Sequence, residues 1–273
     1  MISVAAEKIF TIGSFPITNS ILSGWIVLGI FLILGFSLRT LKKIPTGIQN
    51  AFEALIEFML DFMDQVTHDR ERSKRFLPFV GTLFLFILLA NWMGLVPGVG
   101  SIVTRQLVGE ETENIPLFRA ATSDLNMTLA IGLLSVVVSH IFGIMTIGFF
   151  KYWNKFIQLG TLANAIKAFA RVRIEQAFIG LFTAIVEFMV GIIELVSEVA
   201  KVVSLSLRLF GNIFAGEVLL TVLASLIAFF LPLPFMALEL IVGVIQALVF
   251  SMLTLVYLTI ATEQPHGKAA EAH

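Results

Sequence analysis

Long apolar stretches separated by short polar segments dominate this chain. Five of them reach the ~20 residues that a transmembrane helix needs, and they cover residues 17–38, 76–96, 125–150, 175–231 and 235–262. The first ends at Arg39, and Pro232 and Pro234 separate the last two. The pattern predicts an all-α polytopic membrane protein with about five membrane helices in a single membrane domain, 1–273.

The fourth stretch, 175–231, is too long to cross a bilayer upright. At ~1.5 Å per residue it would form a helix about 85 Å long, whereas the hydrocarbon core is about 30 Å thick. Residues 192–210 contain no glycine, proline, asparagine or aspartate that would favour a turn. We therefore expect a long, steeply tilted helix beside a similar one over 235–262. Such a helix needs protein along one flank, which implies a large membrane partner.

Residues 47–68 follow a different pattern, with apolar side chains at helical spacing on one face and acids on the other. The apolar positions are Phe52, Leu55, Ile56, Met59, Leu60 and Met63, and the acids are Glu53, Glu57, Asp61 and Asp64. This predicts an amphipathic surface helix. Because its polar face is acidic, we expect it to pack against protein rather than anionic lipid.

Composition and charge narrow the class of protein. Hydrophobic residues make up 58% of the chain and charged residues 14%, with a mean hydropathy of +0.95, whereas soluble domains average about 25% charged residues. The absence of cysteine excludes disulfides and thiolate metal sites. A net charge of −1 argues against a nucleic-acid partner. The N-terminus lacks a basic region and cleavage site, so we expect the first stretch to be retained.

The distribution of positive charge predicts the topology. With the N-terminus outside, inner segments hold 13 lysines and arginines, whereas outer segments hold only Lys8, Arg105 and Arg119. Lysine and arginine accumulate on the cytoplasmic side of membrane proteins. We therefore expect the N-terminus outside and the C-terminus in the cytoplasm.

Arg208 lies inside the fourth apolar stretch, where a charge costs roughly 2.5–3.5 kcal/mol on insertion scales. At ~100° per residue, one polar stripe of that helix contains Glu194, Glu198, Lys201, Ser204, Arg208 and Asn212. Glu217 lies on the opposite side, and Glu239 and Gln246 share a face of the last helix. Carboxylates arranged in a row along the face of a membrane helix are typical of a proton or cation relay. Two rows that face different ways suggest two half-paths that do not meet.

Other interpretations of these residues remain open. Arg208 is a structural partner of Glu198 or Glu239 in one of them. In others, Gly211, Ala215 and Gly216 only permit close helix packing, Asp124 only caps a helix, and His140 is a satisfied interior histidine. A secondary transporter predicts internal repeats, and the sequence contains none. A purely structural scaffold would not explain Arg208 together with Glu217 and Glu239.

Chemistry by this chain alone is not expected. The four histidines lack metal-ligand spacing, and there is no glycine-rich phosphate loop and no nucleophile–base pair. The sequence therefore predicts no cofactor, no metal site and no enzyme activity outside a larger complex.

The run SLSLRLFGNIFAGE, residues 204–217, closely resembles subunit a of the F-type ATP synthases. Four further segments fit that family: IPTGIQN, LFLFILLANWMGLVPG, ATSDLNMTLA and IQALVFSMLTLVYL. The resemblance covers most of the chain from about residue 44. Residues 152–173 depart from the family pattern and receive no role.

The resemblance implies roles around the charged residue. Arg208 is the essential arginine that faces a carboxylate of the rotor ring, and Asn212 and Gln246 match polar positions near it. Glu217 and Glu239 match the paired sites of the outer half-channel. Relatives often carry a histidine at one of these sites, whereas both are glutamate here, so the coupling ion, H⁺ or Na⁺, stays open.

The same resemblance implies the setting of the protein. It implies a stator subunit in the bacterial inner membrane that couples ion flow to ATP synthesis, beside a rotor ring of small hairpin subunits and peripheral stalk subunit b. Membrane lipid surrounds the rest. For the inner half-path we expect Glu194, Glu198 and Ser204 to line the route.

Overall fold

The computed structural model describes residues 6–39, 42–44, 46–96, 98–99, 102–108, 111–157, 174–227 and 230–263. Helices dominate this part: α1 (Asn19–Ser37), α2 (Ile48–Thr67), α3 (Arg70–Met93), α4 (Leu125–Ile147), α5 (Phe149–Ile157), α6 (Ile174–Leu226) and α7 (Pro232–Thr262). Two short antiparallel hairpins accompany them, and the sequence analysis did not expect them. Strands β1 (Lys8–Ile12) and β2 (Phe15–Thr18) form one, and β3 (Val103–Val108) and β4 (Glu111–Pro116) form the other.

Five helices of the described part are long and apolar enough to cross a membrane: α1, α3, α4, α7 and the segment Phe188–Leu226 of α6. This confirms the predicted all-α polytopic membrane fold. Helix α2 covers most of the predicted amphipathic segment 47–68. Of the unassigned segment 152–173, residues 152–157 belong to α5, and the remainder lies outside the described residues.

Local side-chain chemistry explains where several helices begin and end. The Asp69 carboxylate accepts the backbone N–H of Glu71 at 2.9 Å at the start of α3. Asp124 does the same for the N–H of Asn126 at 3.0 Å before α4, so it is an N-cap. Helix α4 ends at Ile147, because the next residue, Gly148, has a φ of 93°, which suits glycine. For that reason α4 is shorter than the stretch 125–150 predicted from hydropathy.

Helix α6 runs without a break from Ile174 to Leu226, 53 residues in all. The chain therefore does not fold back within this stretch, as the absence of turn residues predicts. At ~1.5 Å per residue the helix is about 80 Å long, so it cannot stand upright in a ~30 Å hydrocarbon core. Its steep tilt stays a prediction.

The acidic face of α2 contacts the first residue of α3. Arg70 forms ion pairs with Glu57 at 2.8 Å, Asp61 at 3.1 Å and Asp64 at 2.7 Å. Hydrogen bonds from Ser73 and Arg70 hold the pKa of the Asp64 carboxyl below its usual range. Three of the acids predicted to face a partner therefore already contact a cation of their own chain.

The chain divides into two compact units. The first comprises residues 1–132 and 205–256, and the second comprises residues 133–204 and 257–273. In the first unit, Val27 of α1, Ala90 of α3 and Ala121 of a short 3₁₀ turn form a buried cluster. The outer side of α1 exposes Leu32 and Phe36, which suits contact with lipid. The single membrane domain expected from the sequence stays a prediction.

Candidate functional site

Arg208 projects from the unpacked side of α6. On the packed side of this helix, Leu205, Leu209 and Ile213 recur at a spacing of four and are buried. Arg208 itself is exposed. Within the described part of the chain, its guanidinium makes no hydrogen bond or ion pair. This arrangement disagrees with the interpretation of Arg208 as a structural partner of Glu198 or Glu239.

Small residues border Arg208 along the same side of α6. Ser204, Gly211 and Ala215 are all exposed and lie at helical spacings of three or four from their neighbours in this row. A methyl group placed on Gly211 would meet nothing within 4 Å. Rows of small residues let a second helix approach closely in a membrane. We call Ser204, Arg208, Gly211 and Ala215 the open seam of α6.

A buried amide joins α6 to α7 beneath Arg208. Gln246 is 5% exposed, and its Nε2 donates to the backbone oxygen of Arg208 at 2.7 Å. Its Oε1 accepts from Nδ2 of Asn212 at 2.6 Å. The structure thus brings together the three residues that the sequence analysis grouped around the charge. One glutamine side chain fixes the relative position of the two helices there.

Glu217 pairs with an arginine that the sequence analysis placed in an outer loop. Nε of Arg119 lies 2.9 Å from both carboxylate oxygens of Glu217. Arg119 is 5% exposed, and its guanidinium carbon lies 5.9 Å from the ring centroid of Phe214. Its backbone N–H also donates to the Ser23 hydroxyl at 3.3 Å. Arg119 is therefore a structural component of the site, and the sequence analysis did not identify it.

Glu239 packs against Gly216, the residue before Glu217. Its carboxylate occupies the space that a side chain at Gly216 would need. Glu217, Glu239 and Arg119 all line one cavity of about 300 Å³, together with Asn91. The structure therefore places both predicted outer acids at the same cavity. A side chain at position 216 would force the Glu239 carboxylate, the end of a flexible side chain, to move away from α6.

Two polar side chains of α3 hold α7 next to this cavity. Asn91 donates from Nδ2 to the backbone oxygen of Gly243 at 3.3 Å and accepts from the Thr122 hydroxyl at 2.7 Å. Trp92 donates from Nε1 to the backbone oxygen of Leu240 at 3.1 Å. An asparagine in an apolar span is costly unless it is paired. The position of Asn91 in a predicted membrane helix was the feature of the sequence that could have indicated its hydrogen bonds to other elements.

The residues expected for the inner half-path belong to the second unit. Oε1 of Glu198 lies 2.6 Å from Nζ of Lys201, and Glu198 also lies near His140. Glu194 is half-buried, and Ser204 is exposed. The pair of Glu198 with Lys201 follows from their separation of three residues on one helix.

Comparison with known proteins relates this geometry to one family. The family model described as ATP synthase A chain matches residues 17–259. The chain is 32% identical over 260 residues to ATP synthase subunit a of Moorella thermoacetica, covering 94% of this chain and 97% of that protein. The chain belongs to the ATP synthase subunit a family. The subunit a of Syntrophobacter fumaroxidans is 31% identical over 265 residues, covering 96% of this chain and 92% of the relative.

A third relative agrees with this membership. Subunit a of Desulfotalea psychrophila is 35% identical over 246 residues, covering 89% of this chain and 83% of the relative. As an ATP synthase subunit a, the chain is a membrane-sector subunit of that complex, in keeping with the five helices of its described part that are long and apolar enough to cross a membrane. The resemblance seen in the sequence is confirmed.

Proposed function

We propose that this subunit carries ions through two offset half-paths to and from carboxylates on a rotor ring, and so couples ion flow to rotation and ATP synthesis. The observation that supports this most is the exposed Arg208. Within the described residues it has no internal acid partner, although a charge within a membrane helix costs roughly 2.5–3.5 kcal/mol. A carboxylate from a neighbouring subunit, seated on the open seam, offsets that cost.

Glu217, Glu239 and Gln246 serve the outer half-path. Support comes from the shared cavity of Glu217 and Glu239 and from the contact of Gln246 with Arg208 and Asn212. An ion that enters from the outer side neutralises a ring carboxylate. The neutral site then turns into lipid, where a bare carboxylate would be prohibitively costly.

Glu194, Glu198 and Ser204 serve the inner half-path, where the ring site releases its ion after nearly a full turn. Arg208 favours the ionised ring carboxylate and repels cations that would otherwise leak from one half-path into the other. Each elementary charge that crosses ~100 mV delivers about 2.3 kcal/mol to rotation.

The partners and orientation follow from the same proposal. The rotor ring of small hairpin subunits covers the open seam, and peripheral stalk subunit b holds the subunit against rotation. The N-terminus lies outside and the C-terminus in the cytoplasm of a bacterial cell, with the membrane helices in the inner membrane. Support comes from the 13 inner lysines and arginines and from the bacterial relatives.

Replacement of Arg208 tests the proposal. Arg208→Ala should abolish coupled synthesis and pumping while ions leak passively through the membrane sector. Arg208→Lys keeps the charge but loses the planar, two-pronged geometry of the guanidinium. It should therefore also block coupled rotation, with less leak than alanine. The measurements are ATP synthesis and ion flux in vesicles that hold the assembled enzyme under an imposed potential.

Arg105→Ala is the matched control, because Arg105 is an exposed arginine on β3 outside the site. It should synthesise ATP at the wild-type rate. If Arg208→Ala also sustained synthesis near that rate, the two-path mechanism would be wrong. A parallel assay of pumping with and without sodium identifies the coupling ion.

A further inference from the structure

A second polar cluster surrounds His140 in the second unit, and the sequence analysis set this histidine aside as an interior residue. Nδ1 of His140 lies 2.6 Å from the hydroxyl of Tyr152 on α5. Nε2 of the same ring lies 3.5 Å from Oε2 of Glu198 on α6. Both ring nitrogens of His140 therefore face a polar partner, one neutral and one acidic.

The two carboxylate oxygens of Glu198 have different partners, and one of them faces His140. Oε1 contacts Nζ of Lys201 at 2.6 Å, and that ammonium lies 5.0 Å from the ring centroid of Tyr257 on α7. Lysine thus holds one carboxylate oxygen, and Oε2 is the one turned to the histidine. The side chains of Glu198 and His140 are 18% and 29% exposed, so both are shielded but reachable.

The cluster lies between two cavities. His140, Tyr152 and Glu198 line a small one of about 10 Å³ together with Lys201 and Tyr257, which is room for about one water molecule. The same three residues also line a larger cavity of about 220 Å³. The remaining lining residues of the larger cavity, Ile144, Trp153 and Leu195, are mainly apolar, so the water-sized space beside a proton on this cluster is the small cavity.

We infer that His140 is a proton-transfer residue of the inner half-path, working with Glu198, and that the coupling ion of this subunit is therefore H⁺. The inference rests on the proposed function. A histidine between a carboxylate and a phenol can pass a proton but offers no oxygen cage for Na⁺. Histidine also changes charge between about pH 5 and 8, the range in which the inner side of the membrane operates.

The transfer step uses one nitrogen and keeps the other fixed. We assign the hydrogen of the neutral ring to Nδ1, where it is donated to the Tyr152 hydroxyl, and this tautomer leaves Nε2 as the acceptor. The O–H bond at Oε2 of a protonated Glu198 breaks, an N–H bond forms at Nε2, and the imidazolium then loses that proton to water at the exposed edge of the His140 ring, whose side chain is 29% exposed. The reverse sequence loads Glu198 during ATP-driven pumping.

Tyr152 is the positioning residue of this pair. Burial raises the pKa of Tyr152 to about 12, with the charges of Glu198 and Glu194 adding to the shift. Its hydroxyl therefore stays protonated and neutral at physiological pH. Among the described residues, the titratable and charged groups that line the two cavities with His140 are Tyr152, Glu198, Lys201 and Tyr257, and Glu194 acts on Tyr152.

Inverted membrane vesicles containing the whole ATP synthase test the inference, because their medium sets the inner-side pH. We expect the pumping rate of His140→Gln, divided by the wild-type rate at the same pH, to fall at least fivefold between pH 5.5 and pH 8. The ratio cancels the pH dependence of the unchanged catalytic sector. At low pH, Glu198 is loaded directly from water, so histidine matters least there.

His68→Asn is the matched control, since His68 is an exposed histidine after α2 with a φ of 53° that asparagine tolerates. Its ratio should stay near one at every pH. Tyr152→Phe keeps the ring but not the hydroxyl and should show a smaller fall in the same direction. Rates are taken per assembled enzyme in the membrane, so a variant that assembles poorly still reports its pH profile.

Two outcomes would overturn the inference. One is a pH-independent ratio for His140→Gln and Tyr152→Phe, whether near one or uniformly low, since a purely structural role lowers the rate equally at all pH values. The other is a requirement for sodium in pumping. Neither outcome touches the proposed function, which depends instead on Arg208→Ala losing coupled synthesis.

Discussion

At the scale of single residues, the two arginines of the site, Arg119 and Arg208, have opposite surroundings. Arg119 is 5% exposed and held by Glu217, whereas Arg208 is exposed and, among the described residues, pairs with no acid. A buried ion pair fixes geometry at little net gain, but loss of one partner leaves an unpaired charge. Arg119 therefore holds Glu217 in place, while Arg208 remains available to the ring carboxylate of the proposed mechanism.

Arg119→Ala should destabilise the subunit by about 3 kcal/mol, because it leaves Glu217 without its cation. The double variant Arg119→Ala with Glu217→Gln should recover part of this loss, since the unpaired charge is gone. Denaturant unfolding of the purified subunit measures both. A double variant less stable than the sum of the single changes would contradict the ion-pair account.

Glu217 and Glu239 should behave as one relay, because both line one cavity. Glu217→Gln and Glu239→Gln should each slow ion-driven ATP synthesis about a hundredfold, the low end of what proton-transfer groups contribute. The double change should cost much less than the two losses combined. Initial rates in energised vesicles decide this, and strictly additive losses in the logarithm of the rate would show separate paths.

The sequence identified the charged and acidic positions of the site but not what holds them. Arg208, Glu217 and Glu239 stand out because each is a charge in an apolar stretch. Arg119 precedes its partner by 98 positions, and its own surroundings resemble an ordinary loop. His140 and Tyr152 became a pair only when α5 folded against α4. Contacts of this range depend on packing, which local patterns do not record.

At the scale of elements, two glycines of α6 differ in what surrounds them. A methyl group on Gly216 would overlap the Glu239 carboxylate, whereas one on Gly211 would meet nothing within 4 Å. Alanine stabilises an exposed helix position by roughly 0.5–1 kcal/mol relative to glycine. The same substitution should therefore have opposite effects at these two positions.

Gly216→Ala should displace the Glu239 carboxylate and lower the unfolding temperature of the purified subunit slightly, with a loss of about 1 kcal/mol, the low end for overpacking, because the flexible glutamate can move. Gly211→Ala, its matched control, should leave the unfolding temperature unchanged or slightly raised. Thermal unfolding in detergent compares the two. Equal effects of both changes would mean that α7 does not approach α6 at Gly216.

Helix α2 should bind protein rather than anionic lipid. A peptide of residues 47–68 lacks Arg70 and so leaves Glu57, Asp61 and Asp64 uncovered. It should bind neutral and anionic vesicles about equally weakly, because its polar face carries no lysine or arginine. A control peptide with these three acids changed to lysine should prefer anionic vesicles strongly. Strong anionic preference of the native peptide would instead indicate a membrane anchor.

The long elements followed from hydropathy, and the short ones did not. The continuity of α6 was predicted because residues 192–210 lack turn-forming residues. The hairpins were missed because strands of four to six residues, such as Phe15–Thr18 and Val103–Val108, carry too little periodicity. Helix α4 ends before Gly148 because of the backbone conformation of that residue, which a hydropathy average over an apolar run does not reveal.

At the scale of the whole molecule, the residues proposed for the outer and the inner half-path fall into different units of the fold. Arg208, Glu217 and Glu239 belong to the first, and Glu198 and His140 to the second. Helix α6 supplies residues to both. Each half-path therefore has its own set of supporting contacts, and substitutions in one are expected to leave the packing of the other intact.

The Gln246 amide has a mechanical consequence. In the proposed mechanism each passing ring carboxylate exerts a lateral force on Arg208. The stator must exert an equal and opposite force on the ring. The side chain of Arg208 is flexible, but its backbone is held by α7. The Gln246 amide forms hydrogen bonds with both the Arg208 carbonyl and the Asn212 side-chain amide. Torque therefore passes into α7 instead of twisting α6 about its own axis. Because the α6–α7 contact at Gln246 is stiff, less of the energy of each rotation step is lost to elastic deformation of the stator.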